Sequence, residues 1–128
     1  MKIKTSELIG PALDWAVAKC ERLEIYQIWK NVINVTIERH FISYAPSTSW
    51  AQGGPIIERE DIAVWRSTTP EQGKWAAADD RWMSLDVESV EFLNLPDPWH
   101  GPTTLIAAMR CYVASKLGDE VDVPKELI

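Results

Sequence analysis

The sequence predicts an α+β fold: an antiparallel sheet of about three to five strands, packed with an N-terminal helix, a short central helix and a buried C-terminal helix. Three observations predict it. Residues 102–117 carry one long apolar helical pattern. Residues 35–44 and 62–78 are rich in β-branched and aromatic residues and are bounded by turn formers. A second helical pattern follows Gly10-Pro11 near the start. Helix, strand, short helix, strands and helix in that order describe a sheet with helices packed on it. A length of 128 residues fits one domain, 1–128, with an extended tail from about residue 119.

Taken in order, Met1 to Thr5 alternate and read as a short strand or extended arm. Thr5 or Ser6 can cap the turn that follows. Gly10-Pro11 starts a helix expected to run to about Leu23, with Leu13, Ala16, Val17 and Cys20 on its apolar stripe. Asp14 lies in its first turn, where the helix dipole favours an anion. Residues 24–34 are ambiguous. Ile25, Ile28, Trp29, Val32 and Ile33 fit a helical stripe, either extending the first helix or forming a helical insertion, while their β-branching fits strands equally.

Residues 35–44 alternate and read as one strand, ended by Ala45-Pro46. Ser47 or Thr48 is a good N-cap for a central helix over 48–60. Gly53-Gly54-Pro55 opposes its continuity and predicts a short or broken helix. Ile62–Ser67 and Lys74–Ala78 read as strands joined by the Thr68–Gly73 hairpin loop. A turn over 79–81 and a third strand within 86–93 complete the meander. Pro96 to Gly101 reads as a stiff connection into the last helix.

That last helix is the clearest element. Leu105, Met109, Val113 and Leu117 recur every four residues, and Ile106 and Tyr112 widen the stripe. Ala107, Ala108, Cys111 and Ala114 make the rest small and apolar, so the helix is packed on more than one side. Pro102 and the threonines mark its start, and Gly118 its end. The rod is roughly 24 Å long at about 1.5 Å per residue. It is too short for a membrane span and is interrupted by Arg110. Beyond Gly-Pro and alanine, this helix and the first do not align, so no internal repeat is read. Residues 119–124 alternate acid with valine, as an extended tail laid on the body would.

Composition narrows the function classes. The hydrophobic fraction of 46% and charged fraction of 25% are those of an ordinary globular protein, which excludes disorder of the whole chain. A net charge of −6 with scattered Lys and Arg argues against direct nucleic-acid binding and against anionic membranes. Cys20 and Cys111 sit among apolar residues as reduced core thiols. No apolar run follows Met1-Lys2-Ile3-Lys4, so a cytoplasmic protein is expected.

Catalytic and metal patterns are not recognised. His40 and His100 are isolated, which gives no zinc spacing; His40 reads as a solvent-facing strand residue and His100 as a loop residue. Cys-His catalysis would need an exposed thiol beside a base. There is no Gly-x-Ser-x-Gly elbow. Gln52-Gly53-Gly54-Pro55 could cradle an anion with its amides, but no Lys-Ser or Lys-Thr follows, so a tight backbone passage or kink is the plainer reading. The acidic pairs Asp79-Asp80, Glu58 with Glu60-Asp61, and Asp119-Glu120 with Asp122 lack calcium-loop spacing. Arg110, inside the apolar helix, either snorkels or pairs with a carboxylate such as Glu58, with ligand binding as the alternative. No cofactor and no metal are expected.

Tryptophan is the unusual feature, with seven spread along the chain. Trp fills cores and also dominates interface hot spots. Trp50 and Trp99 flank Gly/Pro-rich loops and are the best candidates for exposure.

Three blocks carry a family resemblance. They are Lys4-Thr5-Ser6-Glu7-Leu8 with Gly10-Pro11-Ala12-Leu13-Asp14-Trp15-Ala16-Val17-Ala18; Pro46-Ser47-Thr48 with Trp50-Ala51-Gln52-Gly53-Gly54-Pro55-Ile56-Ile57-Glu58-Arg59-Glu60; and Gly101-Pro102-Thr103-Thr104 through Val123-Pro124. They cover about half the chain and resemble the NinX-like family of small phage and prophage proteins. Residues 24–44 and 66–96 do not share the resemblance. The central block is also similar, more weakly, to a phage domain described as an α-β-α sandwich, in which the Ser-Thr pair starts a helix; Gly-Gly-Pro departs from it. The resemblance implies a phage or prophage protein in bacterial cytoplasm and supplies no catalytic residues.

The function expected is therefore a non-enzymatic accessory protein that binds a host or phage protein, through a surface including Trp50, Gln52, Trp99 and Arg110. The alternatives are a small-ligand-binding protein or minor enzyme with a pocket near Gln52–Gly54 and Arg110, and an acidic nucleic-acid mimic, for which −6 is mild. A homodimer is left open.

Overall fold

The computed structural model describes residues 1–79 and 97–128. Its described elements are β1 (Lys2–Lys4), a 3-10 turn (Thr5–Glu7), α1 (Gly10–Cys20), β2 (Glu24–Trp29), β3 (Val32–Ile37), β4 (His40–Tyr44), α2 (Trp50–Arg59), β5 (Ala63–Arg66), β6 (Trp75–Ala78), β7 (Trp99–Gly101), α3 (Thr104–Leu117), β8 (Glu120–Asp122) and a second 3-10 turn (Lys125–Leu127). The class is α+β, as the sequence predicts. The strands are shared among three small antiparallel sheets, ordered β1-β8, β2-β3-β4 and β5-β6-β7. The expected strand within 86–93 and Trp82 lie outside the described residues.

Helix α3 is the hub. It contacts α1, α2, β5, β6, β7 and β8, and every residue from Leu105 to Val113 is buried. Thr103 caps it, accepting from the Ile106 amide at 3.1 Å, with Pro102 one residue outside the cap. Gly118 ends it at φ +86°, a backbone region that favours glycine. The acidic tail becomes β8, with Ile3 opposite Val121. Thr5 closes that junction, its amide 2.7 Å from the Asp119 carbonyl and its hydroxyl 2.6 Å from the Gly118 carbonyl.

The ambiguous stretch 24–34 is β2, a turn and the start of β3, and the single strand expected over 35–44 is the rest of β3, a turn and β4. Lys30 and Asn31 have φ of +49° and +64°, and Glu38 and Arg39 have +48° and +70°. Two successive positive-φ residues are the signature of type I′ hairpin turns. Neither pair contains glycine, so neither turn is marked in the sequence. The helical look of Ile25 and Ile28 has a physical cause. A β-bulge at Tyr26 inserts one residue, so the two inward-facing isoleucines stand three apart instead of two.

Helix α1 stops at Cys20, short of Leu23, because Arg22 takes φ +57° to turn the chain into β2. Of the two alternatives expected, short or broken, helix α2 is the short one: it runs unbroken through Gly53-Gly54-Pro55. The carbonyl that Pro55 leaves without an intrahelical partner belongs to exposed Ala51, where water can satisfy it. Neither Ser47 nor Thr48 caps this helix; the N-cap is Ser49, with no side-chain bond. Pro98–Gly101 is not merely a connection: Trp99–Gly101 forms β7, pairing with β6.

Candidate interaction surface

Sheet β2-β3-β4 has one face on the core and one in solvent. Ile33, Val35 and Tyr44 are buried in the core, and Ile25, Ile28 and Ile42 pack against it. On the other face Trp29 is 59% exposed, Phe41 69%, Tyr26 46% and Val32 41%. Trp29 lies opposite Val32 at one end of the sheet. At the other end the Tyr26 and Phe41 rings meet with centroids 4.5 Å apart. Phe41 pairs with Thr36 of the central strand, so the two rings bridge the outer strands. A polar row of Gln27, Asn34 and Ser43 separates the two apolar ends. Lys30 Nζ stands 5.7 Å from the Trp29 ring centroid, a cation–π contact.

Of the residues singled out from sequence, Trp50 is the one placed in the open, at 56% exposure on the first turn of α2. Its ring lies along the helix over Gly54, whose missing Cβ would stand 3.7 Å from Trp50 Cε3. Gln52 points the other way and is a clamp. Its Oε1 accepts from the Ala45 amide at 2.7 Å and its Nε2 donates to the Ser43 carbonyl at 2.9 Å. The side chain thus closes the end of β4 and ties it to α2. The Gly53 amide donates to the Ser49 carbonyl at 2.8 Å, so it is spent inside the helix rather than turned toward an anion.

Arg110 neither snorkels nor meets Glu58. It is 8% exposed, and its Nε and Nη1 donate to the Leu8 and His100 carbonyls, each at 2.8 Å. It pins the start of α1 and strand β7 to α3. Burial lowers its pKa, yet a guanidinium stays charged. Trp99 is half-buried and lines a cleft of about 840 Å³ with Lys4, Ser6, His100, Asp119 and Glu120. Trp50, Gln52, Trp99 and Arg110 therefore have separate roles: an exposed ring, an edge clamp, a cleft wall and an internal tie.

His40 is exposed at the start of β4, and His100 is half-buried with Nε2 3.4 Å from Thr69 Oγ1. Both cysteines are free thiols; Cys111 is buried and Cys20 half-buried. Burial, with Glu21 beside it, pushes the Cys20 thiol up to about 12, far from reactive. Asp14 is 6% exposed and accepts the Ser47 amide at 2.8 Å. Burial raises its pKa, and the contact with Ser47 only partly offsets that.

A dense cluster of charged side chains was not legible in the sequence. Arg59 reaches Glu21 with two nitrogens, at 3.0 and 2.7 Å, and Glu60 with Nε at 3.0 Å. The Tyr112 hydroxyl donates to Glu21 at 2.6 Å. Burial pushes the Glu21 carboxyl up, but the Arg59 and Tyr112 hydrogen bonds win and hold it below its ordinary 4.5. A depressed carboxyl stabilises the fold above that ordinary value and loses the contribution as pH falls through its folded pKa. Because the Arg59 side chain is 50% exposed, solvent screens the pair. Glu21→Gln should cost about 1 kcal/mol near neutral pH. In urea titrations the gap from wild type closes as pH drops below about 4; a gap constant with pH would contradict the assignment.

Among the described residues no group of three or more His, Cys, Asp or Glu is arranged to hold a metal ion. None of their helices is long and apolar enough to cross a membrane. Residues 4–116 match the family model described as Bacteriophage P22, NinX. No curated protein matches the chain.

Proposed function

This chain belongs to the NinX family of bacteriophage proteins, and from that premise we propose that it is a non-enzymatic accessory protein that binds a host or phage protein. The observation that carries the reading is Trp50, a large ring 56% exposed on a helix that Gln52 clamps in place. A Trp carried on a helix already held in place needs no backbone ordering on docking, and such residues dominate interface energetics. Covering its open part would contribute about 3 kcal/mol, at roughly 25 cal/mol per Å² of a ring system of about 250 Å².

The test is capture of partners by the tagged chain from bacterial lysate, with and without phage infection, read by mass spectrometry. One saturable partner, competed by untagged chain, is the expected outcome. Blank captures from both lysates would count against the reading.

A second reading is favoured by the cleft at Trp99. Its volume of about 840 Å³ suits a small molecule. In a thermal-shift screen of metabolites and nucleotides, a ligand at a hundred times its dissociation constant adds about 2.7 kcal/mol of stability. A uniformly flat screen removes this reading.

A further inference from the structure

We propose that the aromatic outer face of sheet β2-β3-β4 is covered by the same face of a second copy of this chain, related by a two-fold axis running across the strands. The face is self-complementary about its centre. One end presents Trp29 and Val32, the other the Tyr26–Phe41 ring pair, and the row Gln27, Asn34, Ser43 lies between. Val32 and Thr36, which mark the two ends on the central strand, are about 13 Å apart at 3.3 Å per residue. A two-fold axis across the strands lays one apolar end on the other and the amide row on itself, as an isologous interface requires.

Charge selects that axis. The β2–β3 turn puts Lys30 at the Trp29 end, whereas Glu24 and Glu38 stand at the Tyr26–Phe41 end, with Arg39 beside Glu38 and Arg22 two residues before Glu24. All are exposed, and among the described residues Lys30, Glu24 and Glu38 form no ion pair. Face-to-face stacking has two simple two-fold solutions. An axis along the strands sets Lys30 against Lys30 and the glutamates against each other. An axis across the strands sets Lys30 of each copy against Glu24 and Glu38 of the other, at both ends of the interface. Opposite charges at the rim fix register and orientation.

Area sets the strength. The three rings leave roughly 350 Å² uncovered per copy, taking about 200 Å² as the size of each. That is about the size of the largest apolar patch on an ordinary monomer, here divided by the polar row. It is less than the ~800 Å² per partner of a standard stable interface. The pairing is therefore reversible and concentration-dependent. It uses the sheet and not Trp50, so it stands or fails apart from the capture of a different protein.

Sedimentation equilibrium of the full chain, from about 1 µM to 1 mM, tests it. Wild type should pass from monomer to dimer within that range. Trp29→Ser with Phe41→Ser, both at exposed positions, should weaken the dimer at least tenfold with an unchanged circular dichroism spectrum. Lys30→Glu alone, and Glu24→Lys with Glu38→Lys alone, should each be monomeric, because both charge sets then repel. Mixing these two charge variants should restore a dimer containing one copy of each. A wild type monomeric throughout, a dimer indifferent to the ring or charge substitutions, or a mixture that stays monomeric would overturn the proposal.

Discussion

Gly53→Ala should destabilise the protein by about 2 kcal/mol, while Gly54→Ala, one residue on, should leave it unchanged or more stable by up to about 1 kcal/mol. The two glycines look alike in sequence and differ in what surrounds them. A Cβ on Gly53 would drive into the Pro46 carbonyl oxygen and come within 2.7 Å of Leu105 Cδ2. The carbonyl is backbone and cannot swing aside, so α2 must move away from both the 45–49 loop and α3. Overpacking of this kind costs about 1–3 kcal/mol, and the alanine's helix propensity returns only part of it. A Cβ on Gly54 meets only the Trp50 ring, at an ordinary 3.7 Å. Thermal unfolding separates them: Gly53→Ala should lower the midpoint by about 5–8 °C, and Gly54→Ala should not lower it. An equal response at both positions would mean that helix propensity, and not close approach, governs this stretch.

Arg110→Met should have the largest effect of any single charge removal, about 2–4 kcal/mol. Methionine keeps most of the apolar stem but strands the Leu8 and His100 carbonyls, each of which accepts a guanidinium nitrogen at 2.8 Å. A buried acceptor left unpaired costs about 1–3 kcal/mol. Relief from burying a charge offsets part of that loss, which keeps the total below the sum of the two. Arg110→Lys should fall between, because one ammonium cannot repeat the guanidinium's fork to two separated carbonyls. Urea denaturation reads the series. An unchanged midpoint for Arg110→Met would show that the two carbonyls find other donors and that Arg110 is not the tie between α1, β7 and α3.

The helices were legible because their signals are local. Gly10-Pro11, the four-residue spacing from Leu105 to Leu117, the Thr103 cap and Gly118 each act within a few residues. Strands β5 and β6 were legible from β-rich runs flanking a hairpin loop, and the β8 stretch only as an extended tail, from its acid–valine alternation. The hairpins of β2-β3-β4 were hidden because their turns use Lys30-Asn31 and Glu38-Arg39 in place of a glycine pair. The Tyr26 bulge also gave Ile25 and Ile28 a helical spacing. That concealment extends to function. Trp29 reads as part of a helical stripe in the sequence, and only the strand assignment turns it outward beside Val32. Gly53 shows the converse. Its local propensity against helix is overridden by tertiary packing that needs a residue without Cβ.

Trp50 was legible as exposed from its place beside a Gly/Pro stretch. Gln52 and Arg110 were legible as unusual, but their roles depend on backbone groups far away in sequence. Gln52 reaches Ser43 and Ala45, and Arg110 reaches Leu8, a separation of 102 residues. No local pattern encodes such partners. The Glu21–Arg59–Tyr112 cluster was missed for the same reason.

The measurement that tests the central claim most directly joins stability and capture in one variant, Trp50→Ala. The account predicts unfolding free energy within about 0.5 kcal/mol of wild type, as for an exposed residue away from the core. It predicts loss of the captured partner from infected or uninfected lysate by tenfold or more. A folded Trp50→Ala protein that captures the same partner as well as wild type would contradict it.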